Sequence, residues 1–159
     1  MPAENIGQMV IFRIGTVELA LPVAEVREII FVPPVTPLAK APPSVAGLIH
    51  LRGDVIPVLD LGMEWFHQPV NSKKQRIVVA RSRGRAVGLR VDEVNEVLGM
   101  DNVSLEPVPD AIATSQTAYI SAICKADRRL ILLLHLDRLV HELAMDVIMQ
   151  PDYKEESIR

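Results

Sequence analysis

The stretch that decides the fold is residues 47–61, which read Gly-Leu-Ile-His-Leu-Arg-Gly-Asp-Val-Ile-Pro-Val-Leu-Asp-Leu. Two apolar segments lie on either side of Gly53-Asp54, and each has the length of a β-strand rather than of a helix. Glycine at the first central position of a two-residue turn is typical of a type II′ turn. The sequence therefore predicts a β-hairpin that turns at Gly53-Asp54.

Further hairpins are predicted on both sides of this stretch. Near the N-terminus, an apolar run over residues 9–14 and an alternating run over residues 17–21 flank the turn Gly15-Thr16. Towards the C-terminus, apolar runs surround the turns Ser82-Arg83-Gly84 and Asp127-Arg128. The predicted strands in this part are residues 77–80, 87–91, 94–99, 120–124 and 130–134.

Strands at this short and regular spacing predict a mainly β fold. A single twisted sheet with so many strands must curl or close in order to protect its edges. Two small β-barrels are therefore the preferred architecture, although periodicity alone does not distinguish them from a β-sandwich. The polar residues 68–76 are predicted to form the seam between two subdomains.

Short helices are predicted beside the strands. Pro22 begins a pattern in which Val23, Val26 and Ile30 recur at near-helical spacing. Proline is tolerated in a first helical turn because the N–H group there has no partner. A rigid, extended loop is expected next, because it contains Pro33, Pro34, Pro37, Pro42 and Pro43.

A C-terminal helix is predicted from one apolar stripe that ends before Pro151. The members of the stripe are Leu136, Leu139, Val140, Leu143 and Val147. One domain is therefore expected over residues 9–145, and within it the N-terminal and C-terminal segments can pack together. Residues 146–159 form a C-terminal tail, and its charged part after Pro151 is expected to fray.

Composition and charge exclude several classes of function. The chain has 159 residues, of which 49% are hydrophobic, and a net charge of −3, so a basic nucleic-acid-binding face is not indicated. The single cysteine, Cys124, cannot form an internal disulfide. The sequence shows neither a secretory leader nor an apolar run of about 18–20 residues that could span a bilayer. A cytoplasmic location is therefore predicted.

No residue pattern predicts catalysis, a cofactor or a metal. The histidines His50, His67, His135 and His141 match no ligand spacing, and Met145 stands where a zinc-protease motif beginning at His141 would need its second ligand. Cys124 lies in an alternating apolar segment, where a buried thiol is chemically inert. We therefore predict that the chain is not an enzyme.

Three other local patterns have ordinary structural explanations. Arg52-Gly53-Asp54 spells an adhesion tripeptide, but the hairpin turn explains it because no export signal is visible. The arginines within residues 81–85 form a basic hairpin tip, which is typical of a solvated face, with an acidic partner as the alternative. Trp65-Phe66 is predicted to staple a short helix onto the strands or to anchor a partner.

Several segments resemble the CheW family of chemotaxis coupling domains in sequence and in order. The pattern Gly-Leu-Ile-x-Leu-Arg-Gly-x-x-Ile-Pro-Val-x-Asp-Leu over residues 47–61 is similar to the family signature. The other matching segments are Phe12-Arg13-Ile14-Gly15, Val26-Arg27-Glu28-Ile29, Val87-Gly88-Leu89-Arg90-Val91-Asp92-Glu93-Val94, Pro107-Val108-Pro109, Tyr119-Ile120 and Leu130-Ile131-Leu132-Leu133. The ordered set covers residues 9–140.

The resemblance implies two small SH3-like β-barrels and a function in signal transduction. Such a protein would be a non-catalytic adaptor that couples the cytoplasmic tips of methyl-accepting chemotaxis receptors to a CheA-type histidine kinase in a two-component system. It would be recruited to receptor arrays at the inner membrane and would meet the membrane only indirectly, through receptors. No nucleic-acid partner is implied.

The resemblance also implies a partner-binding surface in an apolar groove between the barrels. Glu28 and Arg52 match charged positions of the family, where they either orient a partner or form a partly buried pair that fixes the groove. Gly47 and Gly53 are expected to permit close backbone approach and the turn. The expected partner-binding residues are Val26, Glu28, Ile29, Gly47, Arg52, Gly53 and Val91.

The sequence departs from the family pattern at three places. His50 stands where asparagine is usual, Gly62 stands where arginine is common, and residues 104–115 are not closely similar. These departures leave a pilus-type or other non-flagellar chemosensory pathway as an alternative. Two further classes stay open: a small-molecule sensor or enzyme, which would need a pocket with converging polar groups, and a structural subunit that assembles through exposed strand edges.

Overall fold

A computed structural model describes residues 6–101, 103–112 and 117–143. The mainly β fold predicted from the sequence is confirmed. The strands are β1 Gln8–Ile14, β2 Val17–Pro22, β3 Val26–Ile30, β4 Val45–Leu51, β5 Asp54–Asp60, β6 Arg76–Ser82, β7 Arg85–Val91, β8 Glu93–Gly99, β9 Val103–Glu106, β10 Ile120–Ala126 and β11 Arg129–Leu134. The helices are α1 Leu61–Phe66 and α2 Leu136–Glu142, with 3-10 turns at Val23–Glu25 and Asp110–Ile112.

The strands form two sheets. The six-stranded sheet has the order β8-β1-β2-β11-β10-β9, and the five-stranded sheet has the order β3-β6-β7-β5-β4. Each sheet contains one parallel pair, β2 with β11 and β5 with β7, while the other neighbours are antiparallel. The N-terminal and C-terminal strands therefore share one sheet.

The chain does not change sheets at the polar segment 68–76. It enters the five-stranded sheet after Pro22 and returns to the six-stranded sheet after Val91, so this segment connects two parts of the same sheet. The predicted seam is corrected accordingly. A polar connection indicates solvent exposure, and it carries no information about which strands pair on either side of it.

The core consists of three apolar clusters. One lies between the sheets and receives side chains from both of them, including Phe12, Leu21 and Leu89. The second is built from strands of the six-stranded sheet around Met9 and Ile131. The third is built from strands of the five-stranded sheet and contains Ile49, Ile56, Val58, Ile77 and Val79.

Strand β6 shows why the apolar runs are continuous. Ile77 and Val79 enter the cluster within the five-stranded sheet, whereas Val78 and Ala80 enter the cluster between the sheets. Successive side chains of a strand point to opposite faces, so a strand that is buried on both faces needs apolar residues at every position.

The central hairpin forms as predicted, but its turn is different. Leu51 pairs with Asp54, so the two turn residues are Arg52 and Gly53. Their φ angles are 50° and 87°, and positive φ at both positions defines a type I′ turn. The predicted type II′ turn at Gly53-Asp54 is wrong, because Asp54 is already the first residue of β5. The type I′ turn at Arg52-Gly53 matches the right-handed twist of the two strands.

The helical pattern predicted after Pro22 is also corrected. Only Val23–Glu25 form a single 3-10 turn, and Val26–Ile30 continue as the edge strand β3, paired with β6. In β3 half-buried residues alternate with exposed ones, which is the period of a strand. Pairing with a neighbouring strand overrides the weak local helical spacing of these β-branched residues.

The C-terminal helix is observed for its first part. Leu136, Leu139 and Val140 of α2 are buried, as the apolar stripe predicts. The Nδ1 atom of His135 accepts a hydrogen bond from the backbone N–H of Arg138 and caps the helix. Val147, Pro151 and the predicted tail lie outside the described residues. Among the helices that the structure describes, none combines the length and the apolar character required to cross a membrane.

Candidate partner-binding surface

The centre of the candidate surface is an ion pair between β3 and the β4–β5 hairpin. Arg52 donates to Glu28 through both terminal nitrogens, with N to O distances of 2.5 and 2.7 Å. β3 and β4 are the opposite edges of the five-stranded sheet, so the pair requires that the sheet curls until its edges approach. An isolated backbone bridge also joins Thr36, in the loop that follows β3, to Leu48 of β4.

The ion pair presents its cation to solvent. The Arg52 side chain is 64% exposed, whereas the Glu28 side chain is 19% exposed. The hydrogen bonds from Arg52 are the main cause that lowers the pKa of Glu28. The pKa of Glu28 is therefore lower in the folded protein than in the unfolded chain. At a pH above its unfolded pKa, the pair contributes fully to stability, and this contribution is lost as the pH falls through the folded pKa of Glu28.

Exposed apolar side chains occur on the elements that carry the pair. Ile29 in β3 and Val55 in β5 are each more than one-third exposed, and Phe31, directly after β3, is 76% exposed. The guanidinium of Arg76 lies 4.2 Å from the centre of the Phe31 ring and stacks on one face of it. The region therefore combines a solvent-facing cation with apolar side chains, as partner surfaces commonly do.

The two predicted glycines have different environments. Gly53 lies at the exposed turn with no heavy atom close to a Cβ position. At Gly47, with φ of +145°, a Cβ would lie only 2.0 Å from the carbonyl oxygen of Thr36. Gly47 is buried, so it shapes the surface by letting the proline-rich loop pack against β4, and it offers no side chain to a partner.

The predicted set is therefore brought together only in part. Glu28, Ile29, Arg52 and Gly53 belong to the edges of the five-stranded sheet that meet, and Val26 is half-buried against the core between the sheets. Val91 is completely buried in that core, so its assignment to a partner surface is corrected. Its alternation with Val87 and Leu89 is a strand pattern that already indicated a buried position.

Sequence reasoning missed the exposed apolar residues Phe31 and Val55. Burial does not alternate along β5, because Asp54 and Val55 are exposed and every later residue of the strand is buried. A period of two therefore does not mark Val55 as exposed. Phe31 follows the end of β3 and precedes two prolines. No periodic signal distinguishes an exposed residue from a buried one at such a position.

The structure shows the surroundings of Cys124 and of the other residues that were considered for catalysis or metal binding. The Cys124 thiol is buried with its Sγ atom 3.9 Å from the Sδ atom of Met9, and burial raises its pKa to about 11. Such a thiol is protonated at neutral pH and is a poor nucleophile. The described histidines, cysteine, aspartates and glutamates include no group that could hold a metal ion.

Trp65 packs on Tyr119, with ring centres 5.5 Å apart, and so attaches α1 to the strands.

The basic hairpin tip lies beside a cleft that contains carboxylates. Arg81 and Arg83 line a cavity of about 340 Å³ together with Glu25 and Asp137. The hydroxyl of Ser82, which is buried, donates to Oδ1 of Asp137 at 2.7 Å. Burial, and secondly the charge of Asp137, raise the pKa of Glu25. The arginines at this tip therefore face acidic groups of the same chain.

Glu25 gives a pH-dependent prediction. Its folded pKa lies above the unfolded value of 4.5, so the protonated form favours folding at low pH and that contribution is lost as the pH rises through the folded pKa. We expect Glu25→Gln to raise the free energy of unfolding at pH 7 and to change it little at pH 4. Urea titrations at both pH values test this, with the exposed Asp101→Asn as a control. Equal effects of Glu25→Gln at both pH values would contradict the assignment.

Two curled sheets around a shared core, with an ion-paired surface where the sheet edges meet, define a small β scaffold. The model of the CheW-like domain family matches residues 8–144. The chain belongs to this family, whose members are scaffold and adaptor proteins of chemotaxis signalling.

Individual relatives agree with this assignment. The chain is 34% identical to the chemotaxis protein CheW of Rhizobium meliloti over 82% of this chain and 84% of that protein. It is 28% identical to chemotaxis protein CheW of Klebsiella aerogenes over 93% and 90%, respectively. The crystal structure of the scaffolding protein TtCheW from Thermoanaerobacter tengcongensis matches with a TM-score of 0.73 and 32% identity, covering 80% of this chain and 88% of that chain.

Proposed function

We propose that this chain is a non-catalytic adaptor that couples methyl-accepting chemotaxis receptors to a CheA-type histidine kinase. It acts in the cytoplasm at receptor arrays on the inner membrane, where it binds the cytoplasmic tips of the receptors. The observation that carries the proposal is the Glu28–Arg52 pair with its neighbouring exposed apolar residues, on a fold that belongs to a family of chemotaxis scaffolds.

Binding rather than turnover is the chemistry that this surface supports. The Arg52 guanidinium is fixed by two hydrogen bonds on one side and open to solvent on the other, so it is held ready for an acidic group of a partner. Ile29, Phe31 and Val55, which lie in or directly after the strands that carry the pair, supply exposed apolar side chains. An amphipathic helix with an acidic residue next to its apolar stripe fits such a surface.

An adaptor needs at least two contact surfaces, and the fold has further exposed apolar positions on the other sheet. Val97 in β8 and Leu130 in β11 are both more than half exposed. Two modest surfaces on one rigid body suit an array, because each contact adds to the others through high local concentration. We propose that the receptor and the kinase use different sheets of the scaffold.

A second candidate is an adaptor of a pilus-type or other non-flagellar chemosensory pathway. The observation that favours it lies at Gly62, where the family commonly has arginine. A Cβ at Gly62 would lie 2.6 Å from the carbonyl oxygen of Gln68, so the local backbone admits no side chain there. Gly62 is buried in α1, so the chain presents no cation at this position, and a receptor class with a different charge pattern fits this departure.

Charge reversal tests the proposed role of Arg52. We expect Arg52→Glu to weaken binding to the partner by about tenfold or more, because it replaces a cation aimed at an acidic group with an anion. Binding is measured by titrating the labelled adaptor with receptor tips and, separately, with the kinase. The exposed Lys73→Glu, in the polar connection between α1 and β6, is the control and should leave the affinity for both partners unchanged.

A double variant distinguishes two roles of the pair. Glu28→Arg combined with Arg52→Glu restores the ion pair with reversed polarity. If Arg52 contacts the partner directly, the double variant stays weak, and if the pair only fixes the sheet edges, binding recovers. Normal binding of the folded Arg52→Glu variant to both partners would show that this surface is not the interface.

A further inference from the structure

A cavity of about 570 Å³ is lined by residues of α1, of the end of α2 and of the six-stranded sheet. Its volume falls in the range of small-molecule sites in proteins. Its walls come from the loop at Pro42 and Pro43, from α1, from β10 and β11, and from the end of α2. None of the seven residues predicted to form the partner-binding surface lines it.

The polar centre of the cavity is the carboxylate of Glu64. Its Oε2 atom accepts a hydrogen bond from the Ser44 hydroxyl at 2.7 Å, and its Oε1 atom accepts one from the Tyr119 hydroxyl at 3.2 Å. Both donors are neutral, so they orient the carboxylate without balancing its charge. Among the residues that the structure describes, no arginine or lysine forms an ion pair with Glu64.

The aromatic wall of the cavity is suited to a cation. Trp65 and Tyr119 pack against each other with their ring planes inclined at 55°. Burial, and then the charge of Glu64, raise the pKa of Tyr119, so its phenol stays protonated and keeps donating to the carboxylate. The negative face of an aromatic ring attracts cations, and tryptophan is the strongest of the aromatic side chains in this respect.

A second carboxylate, that of Glu142, lies at the cavity. Glu142 lines the cavity, and its carboxylate is paired with Arg138 one helical turn earlier at 3.3 Å. No arginine or lysine occurs among the described residues that line the cavity. Apolar side chains complete the walls, and they lower the local dielectric and strengthen any interaction with Glu64.

We propose that this cavity binds a small organic cation with a guanidinium or alkylammonium group. The cationic group lies against Glu64 and the rings of Trp65 and Tyr119, and its hydrocarbon part contacts Met63, Ile120 and Leu132. The chain would then be a scaffold with a small-molecule site of its own, separate from its protein contacts. This inference does not depend on which receptor or kinase the adaptor binds.

The protein carries a built-in reporter for this site, because Trp65 is its single tryptophan. We expect argininamide to change the fluorescence of Trp65 in a saturable manner at constant ionic strength, with a dissociation constant below about 1 mM. Both compounds are used with an acetylated α-amine, so that the guanidinium is the only charge of argininamide. Citrullinamide then has nearly the same shape without a charge, and it should produce no saturable change at the same concentrations.

Two variants connect the signal to the carboxylate. Glu64→Gln keeps an oxygen that can accept from Ser44 or Tyr119, and it should weaken argininamide binding by about tenfold or more through loss of the charge. The matched control is Glu106→Gln, which removes an exposed carboxylate that pairs with Lys125 in β10. This control should bind argininamide as the unchanged protein does.

Three results would each overturn the proposal. They are the absence of a saturable change up to about 10 mM argininamide, an equal response to citrullinamide, and unchanged binding by Glu64→Gln. Circular dichroism and urea titration establish that Glu64→Gln is folded. Should it not fold, Tyr119→Phe provides a second test, because it removes one of the donors that orient the carboxylate and should also weaken binding.

Discussion

Replacing Gly47 by alanine should unfold the protein or lower its free energy of unfolding by about 4 kcal/mol or more. Two costs act together at this position. The backbone has φ of +145°, which side chains with a Cβ rarely adopt, and the added Cβ would lie 2.0 Å from the Thr36 carbonyl oxygen. The atom in the way belongs to the backbone, so the proline-rich loop would have to move away from β4. Urea denaturation followed by circular dichroism measures the change.

Two other glycines separate the costs at Gly47. Gly53→Ala adds a Cβ in open space at φ of +87°, so it should show backbone strain alone, about 1–2 kcal/mol. Gly99→Ala adds a Cβ in open space without a positive φ, so it should be nearly neutral. If Gly47→Ala were no more destabilising than Gly53→Ala, the close packing of the loop on β4 would be wrong.

Asp60→Ala should be the second severe substitution, with a loss of about 3 kcal/mol. Asp60 is 2% exposed and lies between β5 and α1. Its Oδ1 atom accepts from the backbone N–H of Met63 at 3.0 Å and so caps α1, and both carboxylate oxygens accept from the N–H of Val70 at 3.1 and 3.2 Å. Alanine would leave the buried N–H of Val70 without a partner.

Asparagine is the informative comparison at this position. Asp60→Asn retains one oxygen that can accept hydrogen bonds, so it should recover roughly half of the loss caused by alanine. His135→Ala removes the more exposed cap of α2 and should cost only about 1 kcal/mol. Chemical denaturation gives both values. Equal losses for Asp60→Ala and His135→Ala would show that the buried bonds to Val70 contribute nothing.

Local patterns in the sequence were sufficient to predict the β-hairpins. The alternation of Val87, Leu89 and Val91, for example, predicted a strand with a buried face, and β7 has one. Such patterns carry no information about which distant strands become neighbours. The parallel pairing of β2 with β11 depends on packing between segments more than 100 residues apart, so the sheet boundaries could not be located from the sequence.

Some residues of the candidate site could be predicted from the sequence, but their arrangement in space could not. The resemblance identified Glu28 and Arg52 as charged positions, but their direct pairing follows from the curl of the five-stranded sheet, which no local pattern encodes. The left-handed backbone of Arg52 was missed because positive φ is uncommon outside glycine, so the turn was placed one residue too late. The cavity around Glu64 is formed by segments from five regions of the chain and leaves no signal in any one of them.

The central claim is that this scaffold joins two other proteins, and a sedimentation experiment tests it most directly. Membranes that contain a methyl-accepting receptor are mixed with a CheA-type kinase from the same genome, with and without this chain. We predict that the kinase sediments with the membranes only when the chain is present, and that Arg52→Glu reduces its recovery by severalfold. Kinase recovery that is the same with and without the chain would contradict the account.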